Sequence, residues 1–391
     1  MTFPFRRIAA FGCLFALLLP LSVPASAVST SAAGAVLMDA DSGRVLYAQD
    51  AHTPRPIASI TKLMTALVAA EDAADLDGPV TVPPQAVGVE GSSIYLAAGE
   101  DLTLRELLYG LLLHSGNDAA VAIAIHCAGD VPAFVSRMNR RAASLGMTQT
   151  HFQNPNGLDE AGHYSSPYDM ALLARAVLAN PALAEIVSAK TAVCGTRTFT
   201  NHNKLLWRYE GCVGLKTGYT QSAGRTLVSA ATREDTTLIC VTLRDPNDWA
   251  DHAALLDFGF ANFRGRLLAR PGQVLARLPV SGSLARSVPV VASRAVRAAL
   301  PDGQAVAARV QLPARLEAPV EQGDVLGSLT FYVQGEEVGR ADLLAGQTAP
   351  CDRPGGLRGL LGAVFYPLSP LPGADAPLWR GILSKYSVLG V

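Results

Sequence analysis

The sequence has 391 residues, of which 49% are hydrophobic and 17% are charged. This composition is typical of a folded globular protein, and the length allows two domains with sizeable cores. The formal net charge of −1 provides no basic surface, which argues against a nucleic-acid partner. No zinc-type cysteine pairing or phosphate-binding glycine loop stands out, so we expect no metal and no cofactor.

Residues 1–27 have the pattern of a secretory signal peptide. Arg6 and Arg7 precede an apolar run from Ile8 to Leu21, and Ala25-Ser26-Ala27 matches an A-x-A cleavage site. The alternative of a transmembrane anchor fits less well, because the run is short and a small-residue site follows it. We therefore expect an exported, extracytoplasmic protein, in the periplasm or at the outer face of the cytoplasmic membrane.

The first predicted element is a hairpin from Gly34 to Ala48, and a helix follows it. Apolar residues recur at helical spacing along this second segment: Ile60, Leu63, Met64, Leu67 and Val68. The pattern predicts a buried amphipathic helix whose first turn holds Ser59. Lys62 lies one turn after Ser59, so its amine can reach the serine hydroxyl. A serine becomes a good nucleophile when a neighbouring base takes its proton, and a lysine can be that base if its pKa is lowered.

Lysine is scarce in this chain, which strengthens the interpretation of Lys62 as a base. Only five of the 32 Lys and Arg residues are lysines: 62, 190, 204, 216 and 385. Arginine therefore supplies the ordinary surface charge, and lysines in motif positions suggest a need for an amine that can lose its proton. The alternative for the Ser-x-x-Lys pattern alone is a helix-start serine with a surface lysine.

The middle of the chain alternates helices with a loop and then changes to strands. Thr103 to Glu106 forms a capping box that opens a helix through Leu113, and a second helix is predicted over 118–128. His114-Ser115-Gly116-Asn117 is a short exposed break between them. Ser166 and Pro167 start another helix. Strands over 213–220, 226–232 and 237–243 precede a last short helix that ends over 257–260, so the fold class is α+β with a sheet closed by both chain ends.

The C-terminal part of the chain reads as short strands separated by Pro and Gly. Segments 274–278, 288–292, 305–312 and 329–334 predict a small all-β domain over 270–346, after a catalytic domain over 30–265. Residues 347–391 form a Gly/Pro-rich linker and a tail with amphipathic helical spacing from Leu378 to Leu389. This tail is either an interfacial helix that associates with a membrane surface or a helix docked on the protein.

An exported protein can form disulfides, and five cysteines follow the signal segment. Cys194 and Cys212 flank a segment that reads as strand-loop-strand, so they are the best candidate pair. Cys127 and Cys240 lie inside apolar runs, where small buried hydrophobes are equally expected.

Three polar motifs occur in order: Ser59-x-x-Lys62, Ser115-Gly116-Asn117 and Lys216-Thr217-Gly218. With the flanking stretches 58–65, 156–171 and 214–220, they give a sequence that resembles the low-molecular-mass penicillin-binding proteins that are D-alanyl-D-alanine carboxypeptidases. The likeness is strong over residues 34–260. It implies a β-lactamase/transpeptidase-like domain, with helices on both faces of an antiparallel sheet plus a helical subdomain. It further implies a peptidoglycan stem peptide as substrate and covalent acylation by β-lactam antibiotics.

The resemblance also implies a role for each motif residue. Ser59 would attack the carbonyl of the penultimate D-alanine, with Lys62 as the base and Ser115 as the proton relay to the leaving amine. Asn117 would bind the peptide amide. The resemblance places the substrate carboxylate at Lys216 and Thr217, the substrate backbone along Gly218, and the oxyanion hole at the backbone N–H groups of Ser59 and Tyr219. For a second carboxylate contact, Arg225 and Arg244 remain alternatives.

Two other functions compete with carboxypeptidase activity. A class A β-lactamase would carry Glu-x-x-Leu-Asn between the second and third motifs, and no such string occurs from Asp118 to Leu215. A catalytically silent cell-wall binding protein would have lost polar motif residues, whereas all of them are present here. The motifs do not distinguish carboxypeptidase, endopeptidase and transpeptidase reactions, because all three share the acyl-enzyme.

Overall fold

The structure is a computed structural model that describes residues 28–352 and 387–388. Its first part is built on a five-stranded antiparallel sheet of order β2-β1-β9-β8-β7. These strands are β1 (Gly34–Asp39), β2 (Val45–Gln49), β7 (Cys212–Thr220), β8 (Gly224–Arg233) and β9 (Thr236–Leu243). The early hairpin pairs with β9, so one sheet is closed from both ends of the segment and the predicted α+β class is confirmed.

Eight helices and two small two-stranded sheets complete this part of the described chain. The helices are α1 (Lys62–Asp72), α2 (Leu104–Leu112), α3 (Asn117–Ala128), α4 (Val131–Ser144), α5 (Pro167–Ala179), α6 (Pro181–Ser188), α7 (Leu205–Arg208) and α8 (Asp248–Asn262). In one of these sheets β3 (Pro79–Thr81) pairs with β4 (Asp101–Thr103), and the other is a hairpin of β5 (Thr191–Cys194) with β6 (Arg197–Thr200). Two 3-10 turns occur at Ala58–Thr61 and Pro84–Ala86.

Helices cover both faces of the sheet, because side chains alternate along each strand. Val36 and Met38 pack with α1 to α6 in the larger core, whereas Ala35 and Leu37 face the other way and pack with α8. The predicted arrangement with helices on both faces is therefore confirmed.

Two predicted helix starts are confirmed by their caps. Thr103 Oγ1 accepts a hydrogen bond from the Glu106 N–H at 3.1 Å, and Glu106 Oε2 accepts one from the Thr103 N–H at 2.8 Å. The two bonds form the capping box of α2. Ser166 Oγ accepts the Asp169 N–H at 3.2 Å at the start of α5. The capped starts were predictable because both cap motifs are local in sequence.

The last helix of this part is longer than predicted. The sequence indicated a short helix that ends over 257–260, whereas α8 runs for 15 residues from Asp248 to Asn262, so its end was predicted closely and its length was not. Its first turn carries Asp248 and Asp251, which suit the positive end of the helix dipole, and its buried side includes Leu255 and Leu256. The length was underestimated because the charged first turn hid the apolar spacing.

The predicted disulfide is absent: within residues 28–352 all five cysteines are free. Cys194 lies buried at the tip of the β5–β6 hairpin. Cys212 begins β7, with its thiol 3.5 Å from the Gly214 carbonyl oxygen. Each thiol therefore lies in its own environment, and burial raises the pKa of both.

The second part of the described chain is all β, as predicted. Its strands are β10 (Arg264–Ala269), β11 (Val274–Ser281), β12 (Ser287–Ala292), β13 (Val296–Leu300), β14 (Ala307–Gln311), β15 (Leu316–Glu317), β16 (Val325–Val333), β17 (Glu336–Ala345) and β18 (Ser387–Val388). Seven of them form one sheet of order β15-β11-β12-β17-β16-β14-β18, and β10 pairs with β13. A buried hydrogen bond of 2.9 Å from the Ala299 N–H to Asp39 Oδ2 joins the two parts.

Two regions of the sequence prediction fall largely outside the described residues. The signal segment 1–27 lies outside them, as do most of the positions in the predicted tail helix. Ser387–Val388 pair as a strand with Ala307 and Ala308, so the tail is not helical at these two residues. In the described part of the chain no single helix is long and apolar enough to cross a membrane, although two bent helix pairs, α3–α4 and α5–α6, reach that length and hydropathy together.

Candidate active site

Ser59 lies on the 3-10 turn Ala58–Thr61, immediately before α1. The sequence predicted Ser59 in the first α-helical turn, but Lys62 is the first residue of α1. Residues three apart are nearly eclipsed in a 3-10 turn, so the side chains of Ser59 and Lys62 project in the same direction. Lys62 Nζ lies 2.9 Å from Ser59 Oγ. The tighter turn thus brings the pair together as directly as the predicted helix would.

The Lys62 amine is completely buried and contacts three oxygen atoms. Besides Ser59 Oγ, Nζ lies 2.6 Å from Asn117 Oδ1 and 2.6 Å from the Asn156 carbonyl oxygen. A neutral amine can donate one N–H to each of these two acceptors, which leaves its lone pair directed at the Ser59 hydroxyl. This arrangement suits a base that removes the Ser59 proton.

Burial lowers the pKa of Lys62 well below its ordinary value of 10.5, and the positive charge of Lys216 lowers it further. The nearby Asp118 carboxylate acts in the opposite direction. Lys216 is itself buried, and this burial lowers its pKa to about 7. Burial and mutual repulsion therefore disfavour the state in which Lys62 and Lys216 are both protonated.

Ser115 and Asn117 lie at the junction of α2 and α3. The Ser115 backbone has φ 66°, in the left-handed region that is uncommon for residues other than glycine, and the residue is buried. Asn117 begins α3, donates through Nδ2 to the Glu90 carbonyl oxygen at 2.5 Å and accepts from Lys62 through Oδ1. Asp118 is a supporting residue that sequence reasoning missed: its carboxylate accepts the N–H groups of Ile94 and Leu96.

The strand β7 carries Lys216, Thr217, Gly218 and Tyr219 at the edge of the central sheet. Lys216 Nζ donates to the Thr217 carbonyl oxygen at 3.0 Å, and the Tyr219 side chain is 67% exposed. Gly218 lies against the nucleophile turn: a Cβ there would be 2.9 Å from the Ser59 backbone nitrogen. The missing side chain lets the strand pass close to Ser59, and an edge strand can pair with an extended peptide.

A loop over residues 152–163 packs under the nucleophile turn, and its contribution was missed from sequence. Thr65 Oγ1 donates to the Pro155 carbonyl oxygen at 2.6 Å, next to the Asn156 carbonyl that contacts Lys62. Gly157 has φ +85°, and a Cβ there would lie 2.0 Å from the Ala58 carbonyl oxygen. The stretch 156–158 was identified in the sequence as typical of the family, but a backbone carbonyl leaves no signal in a sequence.

The structure separates the two arginines considered for a carboxylate contact. Arg225 donates to Asp248 Oδ1 at 2.8 Å, and its guanidinium lies 5.6 Å from the centre of the Trp249 ring. It is therefore engaged with the start of α8. Arg244 follows β9, is exposed and has φ 51°. Of the two, Arg244 keeps the guanidinium more accessible.

The structure thus places Lys62 in contact with both Ser59 and Asn117, and the third motif passes beside the turn that holds Ser59. A family model described as D-alanyl-D-alanine carboxypeptidase matches residues 22–247. The chain belongs to the D-alanyl-D-alanine carboxypeptidase family. The model of the penicillin-binding protein 5 C-terminal domain matches residues 263–350, so the β domain belongs to the same architecture.

Relatives of this carboxypeptidase family cover most of the chain. The D-alanyl-D-alanine carboxypeptidase DacF of Bacillus subtilis is 31% identical over 82% of this chain and 86% of that protein. The solved penicillin-binding protein 5 of Haemophilus influenzae has a TM-score of 0.70 and 31% identity, over 82% of this chain and 98% of that chain. A solved variant of the Streptomyces K15 DD-transpeptidase has a TM-score of 0.57 and 34% identity, over 60% of this chain and 99% of that chain.

Proposed function

We propose that this protein is a serine D-Ala-D-Ala carboxypeptidase that removes the terminal D-alanine from peptidoglycan stem pentapeptides through a Ser59 acyl-enzyme. The observation that carries the proposal is the buried Lys62 amine, 2.9 Å from Ser59 Oγ and flanked by two further acceptors. This pair lies beside an edge strand that can hold an extended peptide.

In the proposed acylation, Ser59 Oγ attacks the carbonyl carbon of the penultimate D-alanine while its proton passes to Lys62 Nζ. The backbone N–H groups of Ser59 and Tyr219 stabilise the oxyanion, and each such donor contributes about 3 kcal/mol to transition-state stabilisation. The C–N bond then breaks, and the leaving D-alanine takes up a proton relayed through Ser115. Water hydrolyses the ester and restores the Ser59 hydroxyl.

Substrate binding is assigned to the second and third motifs. The terminal carboxylate would contact Lys216 and the Thr217 hydroxyl, since a buried cation near the strand edge attracts an anionic terminus. Asn117 would bind the peptide amide, and the substrate backbone would extend along Gly218 and Tyr219. A β-lactam that mimics the D-Ala-D-Ala terminus would acylate Ser59 by the same steps.

Hydrolysis of β-lactams is disfavoured by the contents of the 152–163 loop. The acceptor that this loop places on Lys62 is the Asn156 carbonyl, not a carboxylate. Glu160 of the same loop is exposed and accepts from Asn154 Nδ2 at 3.0 Å. A backbone carbonyl cannot take a proton from water, so we expect the β-lactam acyl-enzyme to be long-lived.

We further propose the division of the chain that the sequence indicated. Residues 1–27 act as a signal peptide, 30–265 form the catalytic domain, 270–346 form the small β domain, and 347–391 form a linker and tail. Export by the signal peptide would bring the catalytic domain to the peptidoglycan. The tail, with Trp379 and Lys385 among its amphipathic residues, would associate with the membrane surface.

A stem pentapeptide separates the reactions that share the acyl-enzyme. The purified protein is incubated with the pentapeptide, with and without an amine acceptor, and the products are identified by mass. We expect a tetrapeptide and free D-alanine, and none from Ser59→Ala. A crosslinked product that dominates in the presence of acceptor would assign transpeptidation instead, and an unchanged pentapeptide would contradict the proposed function.

A further inference from the structure

A buried imidazole lies under the nucleophile turn and has no role in the proposed steps. His163 is 6% exposed, and its Nε2 lies 2.8 Å from Thr61 Oγ1. The backbone N–H of Gln153 donates to Nδ1 at 3.1 Å. Because a backbone N–H can only donate, Nδ1 is the acceptor, so in the neutral ring Nε2 carries the hydrogen and donates to Thr61.

The neutral state of this ring is supported by its surroundings. The pKa of His163 is lowered to about 4, chiefly by burial; His151 acts in the same direction, whereas Glu160 and Asp159 act in the opposite direction. The ring also makes an edge contact with Phe152, with 5.8 Å between ring centres. At neutral pH the tautomer and the orientation of the ring are therefore fixed by its two hydrogen bonds.

His163 connects two pieces of the site that both act on Lys62. Thr61 directly precedes Lys62 in the chain and belongs to the 3-10 turn of Ser59. At its other nitrogen the ring holds Gln153, at the start of the loop that presents the Asn156 carbonyl to Lys62 Nζ. Together with the Thr65–Pro155 hydrogen bond, this imidazole holds the loop against the nucleophile turn.

We propose that His163 is a positioning residue for the acylation step: it fastens the 152–163 loop to Thr61, so that the Asn156 carbonyl stays on Lys62 and the lysine lone pair faces Ser59. The inference rests on the proposed Ser59 chemistry. Without this tie, the Thr65–Pro155 hydrogen bond still anchors the middle of the loop, but the loop packs less closely on the turn and water reaches the amine. The positive charge of Lys216 and the negative charge of Asp118 continue to act on Lys62, but the burial that chiefly lowers its pKa is reduced.

The test measures the second-order rate of acylation by a fluorescent penicillin from pH 5 to pH 10. In His163→Asn the side chain can still accept from Gln153 but is too short to reach Thr61. The acid limb of the pH–rate profile is the fall in rate at low pH, where Lys62 becomes protonated. We expect this limb to move up by about one pH unit in His163→Asn and the plateau rate to fall about tenfold. In His163→Gln the amide reaches the position of Nε2, and we expect an acid limb close to that of the unmodified protein.

The chain offers a matched control in His252, which is also buried and bridges two hydroxyls, Ser229 at 2.6 Å and Thr242 at 2.9 Å. His252 lies in α8, on the face of the sheet opposite the nucleophile turn. Side chains alternate along β8: Ser229 and Ala231 share the face that packs on α8, whereas Thr226 is on the other face and reaches the Ile57 carbonyl next to the nucleophile turn. His252→Asn should lower the melting temperature and leave the acid limb in place.

Should His163→Asn fail to fold, Thr61→Val removes the hydroxyl partner and leaves the ring intact. We expect it to shift the acid limb in the same direction as His163→Asn. An unshifted limb in the folded variants, or an equal shift in His252→Asn, would overturn the proposal. An unmodified protein that is never acylated would instead reject the proposed function, so the two failures are distinguishable.

Discussion

Three oxygen atoms converge on the Lys62 amine and orient it, whereas burial determines its protonation state. Asn117 Oδ1 and the Asn156 carbonyl each lie 2.6 Å from Nζ, and Ser59 Oγ lies 2.9 Å away. Because burial disfavours the charged form, the amine loses its proton at a lower pH than an ordinary lysine does. Both features depend on neighbours that are remote in sequence.

Replacing Lys62 by arginine tests this account at a single residue. Arginine keeps the positive charge but does not lose its proton in proteins, so it cannot act as the base. We expect the acylation rate by penicillin to fall by roughly a factor of 1,000, whereas the exposed control Lys190→Arg keeps its rate. A Lys62→Arg protein that retains more than a tenth of the rate would show that Lys62 is structural.

Asp245 has a separate effect, on stability. It is fully buried, and Ser31 Oγ, which has a single proton to donate, lies between two carboxylates, 2.9 Å from Asp245 Oδ1 and 2.7 Å from Asp251 Oδ2. Burial raises the pKa of Asp245 to about 6. The folded state therefore binds the proton of the Asp245 carboxyl group more tightly than the unfolded state does. The contribution of Asp245 to stability falls as the pH rises from about 4 to about 6.

Asp245→Asn removes this titration while keeping an oxygen for the Ser31 hydroxyl. We expect the variant to match the unmodified protein below pH 4 and to exceed its free energy of unfolding by about 1 to 3 kcal/mol above pH 6. Urea unfolding at a series of pH values measures the difference, with the exposed Asp302→Asn as control. Parallel curves for the variant and the unmodified protein would contradict the assignment.

At the scale of elements, the site depends on how closely β7 passes the 3-10 turn. Gly218 lies where a Cβ would be 2.9 Å from the Ser59 nitrogen and in conflict with Thr226 Oγ1. We expect Gly218→Ala to displace the strand and lower the acylation rate on the order of 100-fold. Gly78→Ala is the matched control, because a Cβ there meets only the Asp75 carbonyl oxygen, at 3.5 Å. Equal rates for the two variants would mean that the close approach is not required.

Much of the element order follows from the sequence, because its signals are local. The capping box at Thr103 and the serine cap at Ser166 each lie within one turn and predict their helices correctly. The strands β7, β8 and β9 were predicted within a few residues at each end.

Other features depend on contacts between distant segments, and the sequence does not indicate them. The contribution of the 152–163 loop is a backbone carbonyl, and the Asn156 side chain gives no hint of it. The His163 hydrogen bonds cross 102 and 10 residues of chain, so no spacing rule finds them. In the β domain the strands β10, β13, β15 and β17 were missed. In β13 and β17 the half-buried Arg297 and the exposed Glu337 interrupt the apolar patterns.

At the scale of the whole molecule, the central claim is a covalent intermediate at one residue. An opened β-lactam keeps its leaving amine tethered in the site, where it obstructs an approaching water molecule. A peptide substrate instead loses its D-alanine and lets water enter. The 152–163 loop offers Lys62 a carbonyl in place of a water-activating glutamate, so the penicillin adduct should persist.

Intact-mass analysis after brief exposure to penicillin, followed by peptide mapping over time, tests this claim most directly. The account predicts one adduct per protein, on the peptide that contains Ser59, stable long after free penicillin is removed and absent from Ser59→Ala. An adduct on another residue, an undiminished yield in Ser59→Ala, or rapid loss of the adduct with sustained β-lactam turnover would contradict it.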